Sequence, residues 1–243
     1  MELLSPAGHW EAMVAAVQNG ADAVYLGLES CNARRGAKNF TAQEFPQALD
    51  YCHLRGVKVY LTVNTLLTDR ELPEAEGLLR QASRLGADGV IVQDWGLAAL
   101  AREVVPDLPL HASTQMTVHS LTGVEKAAEL GMGCAVLGRE LSGPDVRHIC
   151  AHSPISIEVF AHGALCMCWS GQCAMSALIG QRSGNRGLCA QPCRLPYRLD
   201  GGKAGHPLSL KDMCLASHIR ELRDMGVSLL KLEGRMTRPE SVA

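Results

Sequence analysis

The sequence predicts an α/β fold of the TIM-barrel type, a closed (β/α)8 barrel of parallel strands. Short apolar runs alternate with amphipathic helical stretches along the whole 243-residue chain, which is the pattern of a parallel sheet with crossover helices. There are eight such runs, a number that favours a closed barrel over an open doubly wound sheet. The open sheet is the alternative, but no G-x-G-x-x-G motif follows any of the runs.

Each predicted strand is β-branched or leucine-rich and nearly continuous in apolar character, as strands covered on both faces are. The phrases NGADAVYLG and LGADGVIVQ each repeat a helix end, a turn and a strand, and the helical patterns before them end at Gly20 and Gly86, where glycine suits the C-cap. The predicted strands are residues 2–5, 23–28, 57–64, 89–94, 108–114, 134–140, 155–162 and 228–234.

Two features depart from a regular barrel. Residues 164–210 form a cysteine-rich insertion after the seventh strand. The sequence stops after RMTRPESVA, where an eighth helix is expected to begin. We therefore expect one barrel domain over residues 1–243 with its last helix truncated, forming the N-terminal part of a longer protein.

Composition and charge limit the function classes. The formal net charge of −2 argues against a general nucleic-acid coat but leaves room for a local basic patch. The N-terminus lacks the pattern of a signal peptide, and no apolar run approaches the roughly 18–20 residues of a membrane span. We expect a cytoplasmic protein with no membrane partner, in which the 10 cysteines are reduced rather than paired.

In a TIM barrel the chemistry lies at the C-terminal ends of the strands. Many of the predicted strands end in polar side chains, which we expect to converge on one rim. These are Ser5, Glu29, Asn64, Gln93, Asp94, Ser113, Gln115, Arg139, Glu140, His162, Glu233 and Arg235.

The insertion contains five cysteines, of which four have the spacing of a metal centre. Six residues separate Cys166 from Cys173, fifteen separate Cys173 from Cys189, and three separate Cys189 from Cys193. Four thiolates on one loop can hold a [4Fe–4S] cluster or zinc, although the spacing of six is wide for a zinc knuckle. Cys168 is more readily explained as a bystander. The five other cysteines are expected to be small core hydrophobes: Cys31, Cys52, Cys134, Cys150 and Cys214.

A cysteine nucleophile is a competing explanation. Cys166 follows His162 by four residues at a strand end, so a Cys–His pair is conceivable. A lone nucleophile does not explain why three further cysteines follow. The sequence also lacks the G-x-S-x-G and H-E-x-x-H signatures of other hydrolases.

The stretch EVFAHGALCMCWSGQCAMS, residues 158–176, resembles the signature of peptidase family U32, E-x-F-x-x-G-[SA]-[LIVM]-C-x4-G-x-C-x-[LIVM]-S. ELLSPAG, NGADAVYLG, STQM, LGREL and KLEGRM also resemble this family, so the resemblance covers the whole chain. NARRGAKNF, residues 32–40, resembles the branch of the family that acts on ribosomal RNA.

The resemblance implies a cofactor and a class of reaction. The family is named for a collagenase-like protease activity without agreed catalytic residues, while other members are oxygen-independent hydroxylases with a [4Fe–4S] cluster. Their substrates are a tRNA uridine, a 23S rRNA cytidine or a ubiquinone precursor, and the RNA-modifying members use prephenate as hydroxyl donor. The cluster ligands correspond to Cys166, Cys173, Cys189 and Cys193. In protein prepared in air, this site is expected to hold zinc or to be empty or oxidised.

Three functions stay open on these grounds: an RNA pyrimidine hydroxylase, a U32 peptidase, and a non-catalytic module stapled by its cluster. For the hydroxylase, a basic set near the cysteines would bind RNA phosphates: Arg182, Arg186, Arg194, Arg198 and Lys203. The candidate catalytic residues, which include possible ligands for a small carboxylate, are His162, Glu233, Arg235 and Arg139.

Overall fold

The computed structural model describes residues 1–198 and 200–243, and its strands form a closed parallel barrel. Each strand from β1 to β7 pairs with the next one in chain order, and β9 closes the ring by pairing with both β7 and β1. A short antiparallel strand, β8, extends β7 at its C-terminal end. The predicted (β/α)8 barrel is therefore confirmed. The strands are β1 Glu2–Ala7, β2 Ala23–Leu26, β3 Lys58–Val63, β4 Gly89–Val92, β5 Leu110–Ala112, β6 Cys134–Val136, β7 Ser156–Gly163, β8 Met213–Cys214 and β9 Leu229–Leu232.

Helices cover the outside of the barrel. Local signals fix several of their ends: Gly86 adopts the left-handed conformation at the C-cap of α3, and Ser142 forms a capping box with Asp145 at the start of α6. After β9, the described residues contain only a 3-10 turn, Pro239–Ser241. The helices are α1 Trp10–Gln18, α2 Glu44–His53, α3 Leu72–Leu85, α4 Trp95–Val104, α5 Leu121–Glu129, α6 Gly143–His152, α7 Met175–Gly180 and α8 Ile219–Asp224.

The barrel has an apolar outer core and a divided interior. Alternate strand residues point outward and pack against the helices in one large cluster. Inside, Leu4, Tyr25, Tyr60 and Ile91 form an apolar cluster on one side. The facing strands supply polar side chains, which is unusual because barrel interiors are mostly filled by branched aliphatic residues. This polar half lies between β5 and β9 and consists of His111, Cys134, Glu158 and Lys231.

No helix in the described part of the chain is both long enough and apolar enough to cross a membrane.

Candidate functional site

A small pocket of about 30 Å³ opens at the C-terminal ends of the barrel strands. Five residues of the rim predicted from the sequence line it, which are Asn64, Ser113, Gln115, Glu233 and Arg235. Its remaining lining residues are Tyr25, Arg34, Thr62, Ile91, Thr114, Phe160 and Lys231.

Glu233 and Arg34 form a two-pronged ion pair on one wall of the pocket. Arg34 Nε lies 3.3 Å from Glu233 Oε1, and Nη2 lies 3.2 Å from Oε2. Burial acts to raise the pKa of Glu233, but Arg34, Arg235 and Arg139 outweigh it, and the pKa is lowered. Glu233 is thus an anion that holds Arg34 in place.

Among the cations that line the pocket, Arg235 is the one with no carboxylate bound to it in the described structure. Its side chain is buried, donates to Thr62 Oγ1 at 3.0 Å and lies over the ring of Tyr25, 5.3 Å from the centroid. Its buried Nε has no hydrogen-bond partner in the described structure. Burial and the neighbouring Arg34 lower the pKa of Arg235 to about 10, against the effects of Tyr25 and Glu233. A small anion entering the pocket would meet an arginine that still has a hydrogen bond to donate.

Lys231 occupies the floor of this pocket and was not singled out from the sequence. Its Nζ is 2.7 Å from Glu158 Oε1 and 4.4 Å from the centroid of the Tyr25 ring. Strand alternation could have indicated it, because Lys231 stands two residues before Glu233 on the inward face of β9. Arg34 was also missed, since it lies in a loop after β2 that has no periodic pattern.

Two predicted catalytic residues lie outside the pocket lining. Arg139 stacks over Phe160, 5.0 Å from the ring centroid, and its Nη1 donates to the carbonyl of Ala164 at 2.7 Å. It therefore supports the start of the insertion. His162 is exposed and pairs with Cys214 of β8 through the backbone.

The insertion folds back over the barrel mouth and is fastened there by Asn185. The Asn185 amide donates to Gln93 Oε1 at 2.6 Å and to Gln115 Oε1 at 3.1 Å, and its oxygen accepts from the backbone N–H of Leu66 at 2.9 Å. The neighbouring Arg186 forms an ion pair with Glu71. These contacts bring the cysteine-bearing loop to the same end of the barrel as the pocket.

Glycines of the signature stretch are placed where another side chain would collide with the barrel. A Cβ at Gly163, whose φ is +134°, would lie 2.6 Å from Glu233 Cβ. A Cβ at Gly171, whose φ is +82°, would lie 2.4 Å from the carbonyl oxygen of Gln115. Only glycine allows both the backbone conformation and the close approach of the loop.

The four candidate ligand cysteines lie together in this loop as free thiols. Cys166, Cys173 and Cys189 are exposed, and Cys193 is half-buried. Burial and then the neighbouring thiol of Cys166 raise the pKa of Cys193, and Cys189 and Cys173 act in the same direction. Cys189 Sγ also accepts a hydrogen bond from the backbone N–H of Gln191 at 3.3 Å. The other three thiols thus all act on Cys193, and four thiols on one loop match the donor set that an iron–sulfur cluster requires.

Cysteines outside that set differ in exposure. Cys168 is half-buried beside Cys166 and Cys173. Its pKa is raised, mainly by burial and to a smaller extent by these two neighbouring thiols. Cys52 and Cys134 are buried, and Cys31 and Cys150 are partly buried. The prediction that all five remaining cysteines are core residues is wrong for Cys214, which is exposed on β8.

The predicted basic set divides into two groups. Arg186 is held by Glu71, and Arg194 donates to the carbonyls of Leu210 and Leu165. The others are exposed on the insertion: Arg182, Arg198 and Lys203.

A second group of metal-capable side chains lies inside the barrel, in the polar half of its interior. The donor atoms of His111, Cys134 and Glu158 all lie within 4.8 Å of one another, and all three residues are buried. Side chains suited to binding metal therefore occur in two places, this interior group and the cysteine-rich loop. The four thiols of the loop need not approach so closely, because each ligand of a cubane binds a different iron.

Fold and site together define a class of protein: a (β/α)8 barrel with an arginine-lined pocket beneath a cysteine-rich loop. The model of peptidase family U32 matches residues 8–243. The chain belongs to this family.

Curated relatives of the chain include RNA-modifying proteins and a protease. The chain is 39% identical over 241 residues to the 23S rRNA 5-hydroxycytidine C2501 synthase of Escherichia coli (strain K12), covering 97% of the chain and 36% of that protein. It is 35% identical to the tRNA hydroxylation protein P1 of Bacillus subtilis (strain 168), covering 97% and 58%. It is 34% identical to a collagenase of Porphyromonas gingivalis (strain ATCC BAA-308 / W83), covering 99% and 62%. The chain therefore spans less than two thirds of the length of these relatives.

Solved structures support the fold. The U32 peptidase Mk0906 superposes with a TM-score of 0.63 at 16% identity, covering 96% of this chain and 91% of that one. The putative copper homeostasis protein CutC of Streptococcus agalactiae gives a TM-score of 0.59 at 14% identity, covering 96% and 98%. Both likenesses concern the barrel architecture alone.

Proposed function

We propose that this chain is the barrel portion of an iron–sulfur-dependent, oxygen-independent hydroxylase that modifies a pyrimidine in tRNA or 23S rRNA. The observation that supports the proposal is that Asn185 fastens the cysteine-bearing loop over the mouth of an arginine-lined pocket. The RNA hydroxylation described in the names of two relatives, at 39% and 35% identity, supports the class of reaction.

In this proposal Cys166, Cys173, Cys189 and Cys193 hold a [4Fe–4S] cluster. When bound, the cluster would supply one-electron chemistry at the barrel mouth. The chain's own residues orient the loop: Asn185 fastens it to Gln93 and Gln115, and Gly171 allows its backbone to rest on Gln115.

The pocket below is assigned to a small carboxylate, with prephenate as the candidate hydroxyl donor. Arg235 has the free hydrogen-bonding capacity for a carboxylate, whereas Arg34 is already paired with Glu233. Burial strengthens such a pair because the carboxylate and guanidinium are shielded from water. RNA would approach over the insertion, where Arg182, Arg198 and Lys203 are exposed to meet phosphates.

Proteolysis is the second candidate, and the collagenase relative at 34% identity favours it. It would use Cys166 with His162 as a nucleophile–base pair. Both side chains are exposed, and the structure shows no hydrogen bond between them in the described residues. The third candidate is a non-catalytic module whose fold is stabilised by the cluster.

The experiment uses mass spectrometry to compare the modified nucleosides of two strains. One is a host that lacks the gene, and the other is the same host complemented with the full-length protein. We expect wild-type and Cys168→Ala proteins to restore a hydroxylated pyrimidine, and Cys173→Ala to fail to do so. Unchanged nucleosides on deletion, with collagen or casein cleavage that depends on Cys166, would replace the proposal with the peptidase. Unchanged nucleosides without proteolysis would favour the non-catalytic module.

A further inference from the structure

Three side chains from adjacent strands converge inside the barrel, at a level below the pocket. His111 of β5 pairs in register with Cys134 of β6, so both point inward. Cys134 pairs in turn with Ser156 of β7, and Glu158 stands two residues further along the same face. His111 Nδ1 lies 3.7 Å, and Cys134 Sγ 3.9 Å, from Glu158 Oε2.

One polar atom of this group makes no hydrogen bond in the described structure. His111 is only 6% exposed, and its Nδ1 has no hydrogen-bond partner in the described structure. A buried polar atom left without a partner costs about 1–3 kcal/mol. Glu158 directs Oε1 to Lys231 at 2.7 Å, which leaves Oε2 facing His111 and Cys134.

The distances suit a single small cation. Zinc bonds of roughly 2.0–2.3 Å in tetrahedral geometry separate neighbouring donor atoms by about 3.3–3.8 Å. The separations of 3.7 Å and 3.9 Å, with the third pair of donor atoms within 4.8 Å, need a modest contraction to match them. Imidazole, thiolate and carboxylate together form a donor set typical of Zn²⁺ rather than of Mg²⁺ or Ca²⁺.

Solvent can reach the group from the opposite end of the barrel. A hollow of about 620 Å³ opens at the N-terminal ends of the strands, and His111, Cys134 and Tyr60 are among the residues that line it. An ion could enter by this route without passing the arginine pocket, and a fourth, water ligand has space there.

We propose that His111, Cys134 and Glu158 bind one divalent zinc-type ion, with a water molecule from the N-terminal hollow as fourth ligand. On binding, the thiol of Cys134 loses its proton to solvent and becomes the thiolate ligand. Lys231 holds the second oxygen of Glu158 and so orients the carboxylate toward the ion. The ion would tie β5, β6 and β7 together from the inside.

The site is independent of the iron–sulfur proposal, because the two groups lie in different parts of the fold and share no residue. Its test therefore uses the full chain with Cys166, Cys173, Cys189 and Cys193 replaced by alanine, titrated with Co²⁺. We expect one equivalent of Co²⁺ to bind with a thiolate-to-cobalt charge-transfer band. Cys134→Ser in this background should abolish the band, and His111→Asn should weaken Co²⁺ binding at least about tenfold.

Cys52→Ser is the matched control, since Cys52 is a buried thiol in the outer core. It should leave the band intact. Circular dichroism checks that each variant is folded, and zinc content of iron-loaded protein, measured by mass spectrometry, gives a second readout. In that measurement, the iron-loaded parent should contain one equivalent of zinc, and the Cys134→Ser variant should contain only background zinc. Absence of metal from the folded parent in both measurements, or a band that survives Cys134→Ser, would overturn the proposal.

Discussion

Asn185 of the insertion and Gln93 at the end of β4 are joined by a 2.6 Å hydrogen bond from the asparagine amide to the glutamine oxygen. Gln115 and the backbone of Leu66 complete the partners of the Asn185 side chain. One side chain thus links the insertion to three separate loops of the barrel mouth.

Asn185→Ala should loosen the insertion while leaving the barrel folded. The variant loses three hydrogen bonds, each contributing about 0.5–1.5 kcal/mol, and leaves Gln93 without the partner for its oxygen. Limited trypsin digestion should therefore cut faster within residues 182–198. Asn19→Ala is the control, because in the described structure the exposed Asn19 side chain donates only to the carbonyl of Ala15 in the adjoining helix. Equal cleavage rates in the two variants would refute this role.

Gly171→Ala should destabilise the docked loop by about 1–3 kcal/mol. The new methyl group would approach the Gln115 carbonyl to 2.4 Å at a backbone φ of +82°. Gly180→Ala is the matched control, because a Cβ there meets nothing within 4 Å. Urea unfolding and iron content measure the effect. Normal iron content in Gly171→Ala would show that the close contact is dispensable.

Glu158→Gln should cost about 3–5 kcal/mol of unfolding free energy, because it leaves Lys231 buried without an anion. The double variant Glu158→Gln with Lys231→Met should recover much of this loss, since it removes the unpaired charge as well. Glu129→Gln, at an exposed ion pair with Lys126, should change stability by no more than about 0.5 kcal/mol. Chemical denaturation compares the variants, and a single variant as stable as wild type would contradict the assignment.

The ion pair between Arg186 and Glu71 should weaken in acid. Arg186 first, and then Thr68, lower the pKa of Glu71 from 4.5 to about 2. Because the folded value is the lower one, the stabilisation is complete above pH 4.5 and is lost as the pH falls from about 4.5 through 2. NMR titration of the Glu71 carboxyl should show this low pKa in wild type and a higher one in Arg186→Ala. An unchanged value in that variant would assign the shift to Thr68 alone.

The barrel was predictable because its signals are local. Each strand is an apolar run such as 89–94, and glycines such as Gly86 mark helix ends. The spacing of Cys166 and Cys173 is likewise a local signal, and the thiol site that it indicates stays a prediction.

Interior contacts were harder to predict because they depend on register between distant strands. His111, Cys134 and Glu158 meet only after the barrel closes, and Cys134 was interpreted as a simple core residue. It is indeed buried, but beside a carboxylate. Likewise, the pairing of Arg34 with Glu233 joins residues 199 positions apart, and no local pattern indicates it.

Iron and sulfide analysis of anaerobically purified protein measures whether the four cysteines of the insertion hold an iron–sulfur cluster. We expect about four irons and four sulfides per chain in wild type and Cys168→Ala, and loss of both in Cys173→Ala. Stoichiometric zinc at these cysteines with no iron, or equal loss in Cys168→Ala and Cys173→Ala, would refute the assignment of these four cysteines as cluster ligands.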